Sequence, residues 1–215
     1  MIPPAVTDAV REAERQLRDS GQFKWYVVTL FVIVAYFYAV EIERRRFDIV
    51  AAGLAVWFAD WINEVLNAVF FHLNDEAPFW VATGSTAYQI LIGLNVEICL
   101  FFAFYGIVFA KSLPADRALR ILGLPNRLFY ALFFSVASVA IECVLSAADV
   151  LHWHWWWWNF PCVPLIVVFG YLWFFLAAAH AHDLPTDRRR FRFVAGLGAV
   201  AGLLIVAFGP ILEWI

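Results

Sequence analysis

The alternation of apolar and polar positions divides this chain into six long apolar runs preceded by one short amphipathic one. A helix needs about 20 apolar residues to cross ~30 Å of hydrocarbon. Six segments qualify, at roughly 25–42, 48–72, 86–110, 128–151, 162–180 and 193–214. Ahead of them, residues 8–20 set Ala9, Val10, Ala13 and Leu17 on one helical face, with Arg and Glu on the other. The pattern predicts an all-α, polytopic transmembrane helical bundle of about six spans. Residues 1–22 form an N-terminal amphipathic segment, and 23–215 a single transmembrane helical domain.

Five acids interrupt these runs: Asp60, Glu64, Glu97, Glu142 and Asp149. A carboxylate at the bilayer centre costs at least about 2.5 kcal/mol, so such residues are rare, face inward and mark functional sites. Asp60, Asn63, Glu64 and Asn67 recur at i, i+3, i+4 and i+7, which puts them on one face of span 2. Ser135, Ser138, Glu142, Ser146 and Asp149 do the same in span 4. Thr86, Ile90, Gly93, Glu97 and Phe101 share a stripe of span 3, so Glu97 is expected to look across a small residue. At 1.5 Å per residue, Glu64 sits ~24 Å above the inner end of span 2, Glu142 ~22 Å up span 4, and Glu97 ~16 Å below the outer end of span 3. The acids are expected to converge on one cavity in the middle to outer half of the bilayer, with Asp149 near its mouth. Acids this close in a low dielectric cannot all be ionised. At least one of Glu64, Glu97 and Glu142 is therefore expected to keep its proton at neutral pH. Polar bonds between spans average only ~0.6 kcal/mol, so packing alone does not call for five acids.

Composition sharpens this picture. Residues are 64% hydrophobic and 15% charged, where soluble domains carry roughly 25% charge. A net charge of −3 gives no reason to expect a nucleic-acid partner. The basic residues matter by position. Arg44, Arg45 and Arg46, then Lys111, Arg117, Arg120 and Arg127, then Arg188, Arg189, Arg190 and Arg192 fall in alternate loops. The loops at 73–85 and 152–161 have no Lys or Arg. The positive-inside rule puts the basic loops in the cytoplasm and both termini outside, in a cell membrane. Arg11, Arg15, Arg18 and Lys24 precede span 1 and pull the other way, which a helix lying on the surface tolerates. The run from Trp25 leads into Glu-Ile-Glu-Arg-Arg-Arg, not a small-residue cleavage site, so it is read as a retained span. Cys99, Cys143 and Cys162 show no pairing pattern.

His72, His152 and His154 lie near the outer ends of spans 2 and 4, where with Glu64, Glu142 and Asp149 they could ligate a metal. Neither Glu64 nor Glu142 has a His at i+3, the di-iron spacing, and placement at the interface accounts for the three. No metal and no organic cofactor is implied. The run Trp153, Trp155, Trp156, Trp157 and Trp158 reads as interfacial anchoring, or else as an aromatic lid. Span 6, with Gly196, Gly198, Gly202 and Gly209, reads as scaffold. Walker, dinucleotide-binding and nucleophile-elbow motifs are absent from the sequence.

Asn63-Glu64 resembles the glutamate motif of the membrane-bound terpene cyclases. Asp60, Glu64, Glu97 and Trp173 are similar in placement to the emopamil-binding-protein family of sterol isomerases. That family has a His one turn before its second-span Glu, where this chain has Asp60, and an Asn ahead of the span-5 Trp, where this chain has Gly170. The hairpin of spans 4 and 5 is similar to carotenoid hydratase-type membrane proteins. These likenesses cover about residues 48–180 and imply protonation of a lipid alkene. The residues support the same chemistry on their own. Glu64 or Glu142 would be the general acid, with Asp60, Glu97 and Asp149 tuning it or taking a proton afterwards. Asn63, Asn67, Trp57, Trp61, Phe101 and Trp173 would line the substrate site, the aromatic rings stabilising a carbocation. The expected partners are membrane lipids and an apolar small molecule, an isoprenoid or sterol-like alkene. A proton-coupled carrier and a non-catalytic lipid-binding subunit remain the alternatives, and the oligomeric state is open.

Overall fold

The computed structural model describes residues 7–215; residues 1–6 of the expected amphipathic segment lie outside the described residues. The elements in chain order are α1 (Asp8–Gln16), α2 (Tyr26–Glu43), α3 (Phe47–Asn74), β1 (Trp80–Ala82) and α4 (Val96–Ser112). There follow β2 (Arg120–Ile121), β3 (Leu124–Pro125), α5 (Asn126–Ala147), β4 (Leu151–Trp153), α6 (Val163–Asp183) and α7 (Asp187–Ile211). The chain is an all-α helical membrane bundle. Helices α2, α3, α5, α6 and α7 are long and apolar enough to cross a membrane.

Helix α3 is the axis. Its 28 residues form the longest helix, and it packs on α4, α6 and α7. The α3–α4 crossing is close because both helices present a glycine there. A Cβ on Gly106 would stand 2.8 Å from the Cα of Gly53. Below the acids the core is apolar: Ala51, Ala52, Ala55, Val56, Ala59, Ile107 and Phe109 are all buried. Helices α2 and α7 lie outermost, with little of either buried.

The third run departs from expectation. Its helix begins at Val96, ten residues later than the hydrophobic pattern placed it. The Asn95 side chain accepts the Ile98 N–H at 2.9 Å and caps α4 there. Residues 83–95 are irregular yet largely buried, which a membrane protein tolerates only where protein replaces water as the partner. Gln89 supplies much of that replacement, donating to the carbonyls of Leu91 (2.7 Å) and Ile92 (3.2 Å). Asn67 of α3 accepts from Phe79 N and donates to the Trp80 carbonyl, both at 2.9 Å.

The two hairpin loops expected on one side do meet. β1 pairs antiparallel with β4, aligning Trp80 with Trp153 and Ala82 with Leu151. Around this ribbon the tryptophan run folds inward. Trp153 and Trp158 are buried, Trp158 stacks on Trp80 at 6.1 Å, and Trp155 donates to the Ala77 carbonyl at 3.2 Å. Only Trp156 of these is largely exposed, so the run builds a packed aromatic cap more than an anchor.

Helix α1 lies on this capped end. Val10 and Ala13 are fully buried against Ala68, Ala77, Val81 and Ile92. Its ends are tied by Thr7 Oγ1 to His154 Nε2 (2.8 Å) and by Arg18 N to the Gln89 carbonyl (2.9 Å). The apolar stripe read from the sequence therefore faces protein. At the opposite, basic end, Arg127 grips Asp183 through two nitrogens at 2.9 and 2.8 Å. His182 bridges Asp183 (2.9 Å) and Asp48 (3.4 Å), joining α3, α5 and α6.

Candidate active site

Glu64, Glu97 and Glu142 open into one cavity of about 370 Å³. They come from α3, the first turn of α4, and α5. Apolar side chains make most of the wall, among them Ile98, Phe101, Phe102, Ile141, Leu145 and Leu151. Among the described residues no Lys, Arg or His lines it. On one flank the lining side chains are themselves exposed: Tyr26 43%, Phe101 37%, Ile141 40% and Val150 37%. These belong to α2, α4, α5 and the turn after α5, so the cavity opens sideways between apolar helices.

The three acids are held differently. Trp80 Nε1 donates to Glu64 Oε1 at 3.1 Å, and the Tyr171 hydroxyl to Glu142 Oε1 at 2.6 Å. The second oxygen of each, Oε2, is buried without a partner, as is Asp60 Oδ2. Glu97 is better satisfied by comparison. It accepts from Thr86 Oγ1 (2.6 Å), from Ala87 N (2.8 Å) and from the Tyr26 hydroxyl. Its place in the first turn also puts it against the positive end of the α4 dipole.

Behind the cavity is a second, water-sized chamber of about 20 Å³, bordered by Asp60, Asn63, Glu64, Glu142, Trp158 and Tyr171. Room of this size admits about one water molecule. Asp60, Glu64 and Glu142 all border this one small chamber, which brings the three carboxyl groups together. Glu64 and Glu142 thus border both spaces, while Asp60 borders only the rear one.

Other residues singled out from the sequence go elsewhere. Phe101 lines the cavity and Asn63 the rear chamber. Asn67 is spent on the β1 backbone. Trp57 donates to Cys99 Sγ at 3.2 Å and, with Trp61, packs against the cluster of Val65, Val69, Leu91 and Leu94. Trp173 packs edge-on against Phe174 at 4.8 Å. It is turned away because residues 166–172 of α6 form a π-helical stretch. Each extra residue in such a stretch rotates the remainder of the helix by ~100°, and Tyr171 takes the place facing the acids. Asp149 lies beyond the end of α5, exposed, in an outer groove with Arg11, Arg15 and His152. Thr83 links that groove to the cavity wall.

The histidines do not gather. His72 stacks on Trp214 at 4.7 Å, His152 meets Thr83 Oγ1 at 3.1 Å, and His154 meets Thr7. Burial, with a smaller push from His152, brings the His154 imidazole down to about 4. Among the described residues no three His, Cys, Asp or Glu side chains are placed to hold a metal ion.

Residues that pattern reading passed over include Trp80, Tyr171, Tyr26 and Asn95. Gly93 is tightly constrained: a Cβ there would lie 2.5 Å from Trp80 Nε1, 2.6 Å from Glu64 Oε2 and 2.7 Å from Asn67 Nδ2. The signals available were the Gly-Leu-Asn step at 93–95, a breaker followed by a capping residue, and Thr-Gly-Ser-Thr at 83–86.

Residues 7–210 match the model of a family described as an uncharacterized membrane protein family. A protein of Archaeoglobus fulgidus, itself described as uncharacterized, is 46% identical over 209 residues, covering 97% of this chain and 99% of that protein. No solved structure matches the chain.

Proposed function

The chain belongs to this membrane protein family, and from that premise we propose that it is an intramembrane enzyme that protonates a carbon–carbon double bond of an apolar lipid. The observation that carries the reading is the side-opening, apolar-walled cavity lined by both Glu64 and Glu142, each of which also holds one buried oxygen without a partner. A carboxylic acid is an effective general acid when it sits within reach of a substrate in a site that excludes water. The weak resemblance of Asp60, Asn63, Glu64 and Glu97 to terpene cyclases and sterol isomerases points to the same chemistry, with an isoprenoid or sterol-like alkene as the substrate.

The step balances without a cofactor. The acid O–H gives its proton to one alkene carbon, the π pair forms the new C–H bond, and the neighbouring carbon becomes cationic. A carboxylate then takes a different proton, yielding a shifted or cyclised alkene, or water adds and loses its proton. Phe101, Phe102, Trp80 and Tyr171 line the cavity and offer π faces to the cation. Glu64 and Glu142 are the donor and acceptor pair, and Asp60 across the rear chamber returns the proton. The apolar core beneath Asp60 argues against a carrier, which needs a polar path to the basic end. The positive-inside rule places that basic end in the cytoplasm and the aromatic cap outside, in the cell membrane.

The test is deuterium uptake. Purified protein is incubated with an isoprenoid-rich lipid extract in D2O, and carbon-bound deuterium is read by mass spectrometry. The wild-type chain is expected to label an alkene lipid, and Glu64→Gln and Glu142→Gln to lose the labelling. Equal labelling by both variants, or proton flux across liposomes that depends on Glu97, defeats the reading.

A further inference from the structure

The cavity has two polar ends of different chemistry, and they bear on which lipid fits. Glu64 and Glu142, with Tyr171, make the inner end. Tyr26, Thr83, Ser85, Asn95 and Glu97 make the other. Tyr26 and Ser85 are exposed, so this end is the rim. Ile98, Phe101 and Phe102 continue α4 from Glu97 into the wall, and Phe102 stacks on Tyr171 at 5.9 Å. The α4 wall between the ends is therefore apolar. Glu64 and Glu142 also border the rear chamber with Asp60, whereas Glu97 does not.

We propose that the substrate is a neutral lipid with a terminal hydroxyl seated at Tyr26 and Glu97, and that lipids ending in phosphate, diphosphate or carboxylate are excluded. This rests on the reading of the cavity as a lipid site. Two facts carry it. Three carboxylates and no cation line the cavity among the described residues, and the ammonium of Lys24 beside the rim is bonded to Ser85, so an anionic head seated at Glu97 would lose its hydration and meet like charge. At the rim, Glu97 already accepts three hydrogen bonds, and a carboxylate offers about four acceptor sites. One further O–H can be accepted there, and Tyr26 supplies a hydroxyl beside it. The apolar body then lies along Ile98, Phe101 and Leu145 toward Glu64 and Glu142.

The experiment compares farnesol, farnesene, farnesyl phosphate and farnesoic acid for binding to the full chain in nanodiscs of neutral lipid, corrected for partition into empty discs. Farnesol is expected to bind about tenfold more tightly than farnesene, the value of a hydrogen bond to a charged partner. Farnesyl phosphate and farnesoic acid are expected to bind about a hundredfold more weakly than farnesol, as like-charge contact dictates. Glu97→Gln is expected to bring farnesol down to the farnesene level. Should that variant fail to fold, Tyr26→Phe at an exposed position reads out the same contact. Phosphate binding as tight as alcohol binding, farnesene matching farnesol, no binding by any probe, or unchanged affinity in the variant that folds each overturns the proposal. Binding needs no turnover. Loss of deuterium labelling in Glu64→Gln together with a preference for phosphate removes this inference alone, and persistent labelling with the expected binding order removes the catalytic reading alone.

Discussion

The two ends of the bundle treat their buried and half-buried acids in opposite ways. At the basic end, Glu41, Asp48 and Asp183 each have a cation: Lys111 for Glu41, Arg46 for Asp48, and Arg127 with Arg117 for Asp183. At the capped end, Asp60, Glu64 and Glu142 have none among the described residues, and each keeps one oxygen without a partner. Acids of the first kind are paired because an unpaired buried charge is costly and the pairing fastens helices together. Leaving the second kind unpaired offers nothing to stability. Under the proposed function the cost is offset by setting carboxyl groups in the wall of an apolar space, where unpaired acids in a cleft are functional-site candidates.

The sharpest way to break the contrast is to neutralise one acid at each end. Glu64→Gln or Glu142→Gln is expected to lower the rate of deuterium labelling by about 10²–10⁴, the share of a general acid. Thermal unfolding in detergent should stay level or shift upward, because an uncompensated carboxyl is removed. Arg127→Ala should do the reverse. Asp183 loses a bidentate partner while Arg127 itself is only 15% exposed, so unfolding should become easier by about 1.5–3 kcal/mol with labelling per folded molecule unchanged. If Glu64→Gln destabilises as much as Arg127→Ala, the acids of the cavity are structural after all.

Gly93→Ala probes the boundary between the two kinds of role. Its Cβ would press on Glu64 Oε2, Trp80 Nε1 and Asn67 Nδ2. Overpacking of this kind costs about 1–3 kcal/mol, and the shifted Glu64 should show as a fall in labelling larger than the loss of folded protein. That site also marks how far the sequence could be read. The spans, the inward acids and the grouping of the loops were legible because hydrophobic length and i, i+4 spacing are local properties. The helix start at Val96 was not, because residues 86–95 are as apolar as a span and only Gln89, Gly93 and Asn95 betray the irregular backbone. Trp173 and Tyr171 exchanged places for a similar reason. A π stretch changes phase without changing composition, and periodicity counted at 3.6 residues carries the error onward. Glu97 still reached the cavity, but through a cap and a turn instead of a helical stripe.

The smallest expected effect belongs to a third way of burying a titratable group. His154 is half-buried in the outer loop, bonded through Nε2 to Thr7 Oγ1 at the start of α1, with Nδ1 unpartnered. Burial and His152 hold it at about 4, below the ordinary value of 6.5. A group depressed on folding contributes stability that is complete above its unfolded value and is lost as the pH falls through its folded one. The docking of α1 should therefore be firm at pH 7 and loosen progressively from about 6.5 to about 4. Hydrogen exchange over Asp8–Gln16, corrected for the intrinsic rate, should rise across that window, and His154→Gln should flatten the dependence. Protonation also places charge beside His152, so the same acidification reaches Thr83, where the outer groove meets the cavity wall. A flat exchange profile in the wild-type chain would mean that Val10 and Ala13 hold α1 to the cap by apolar burial alone.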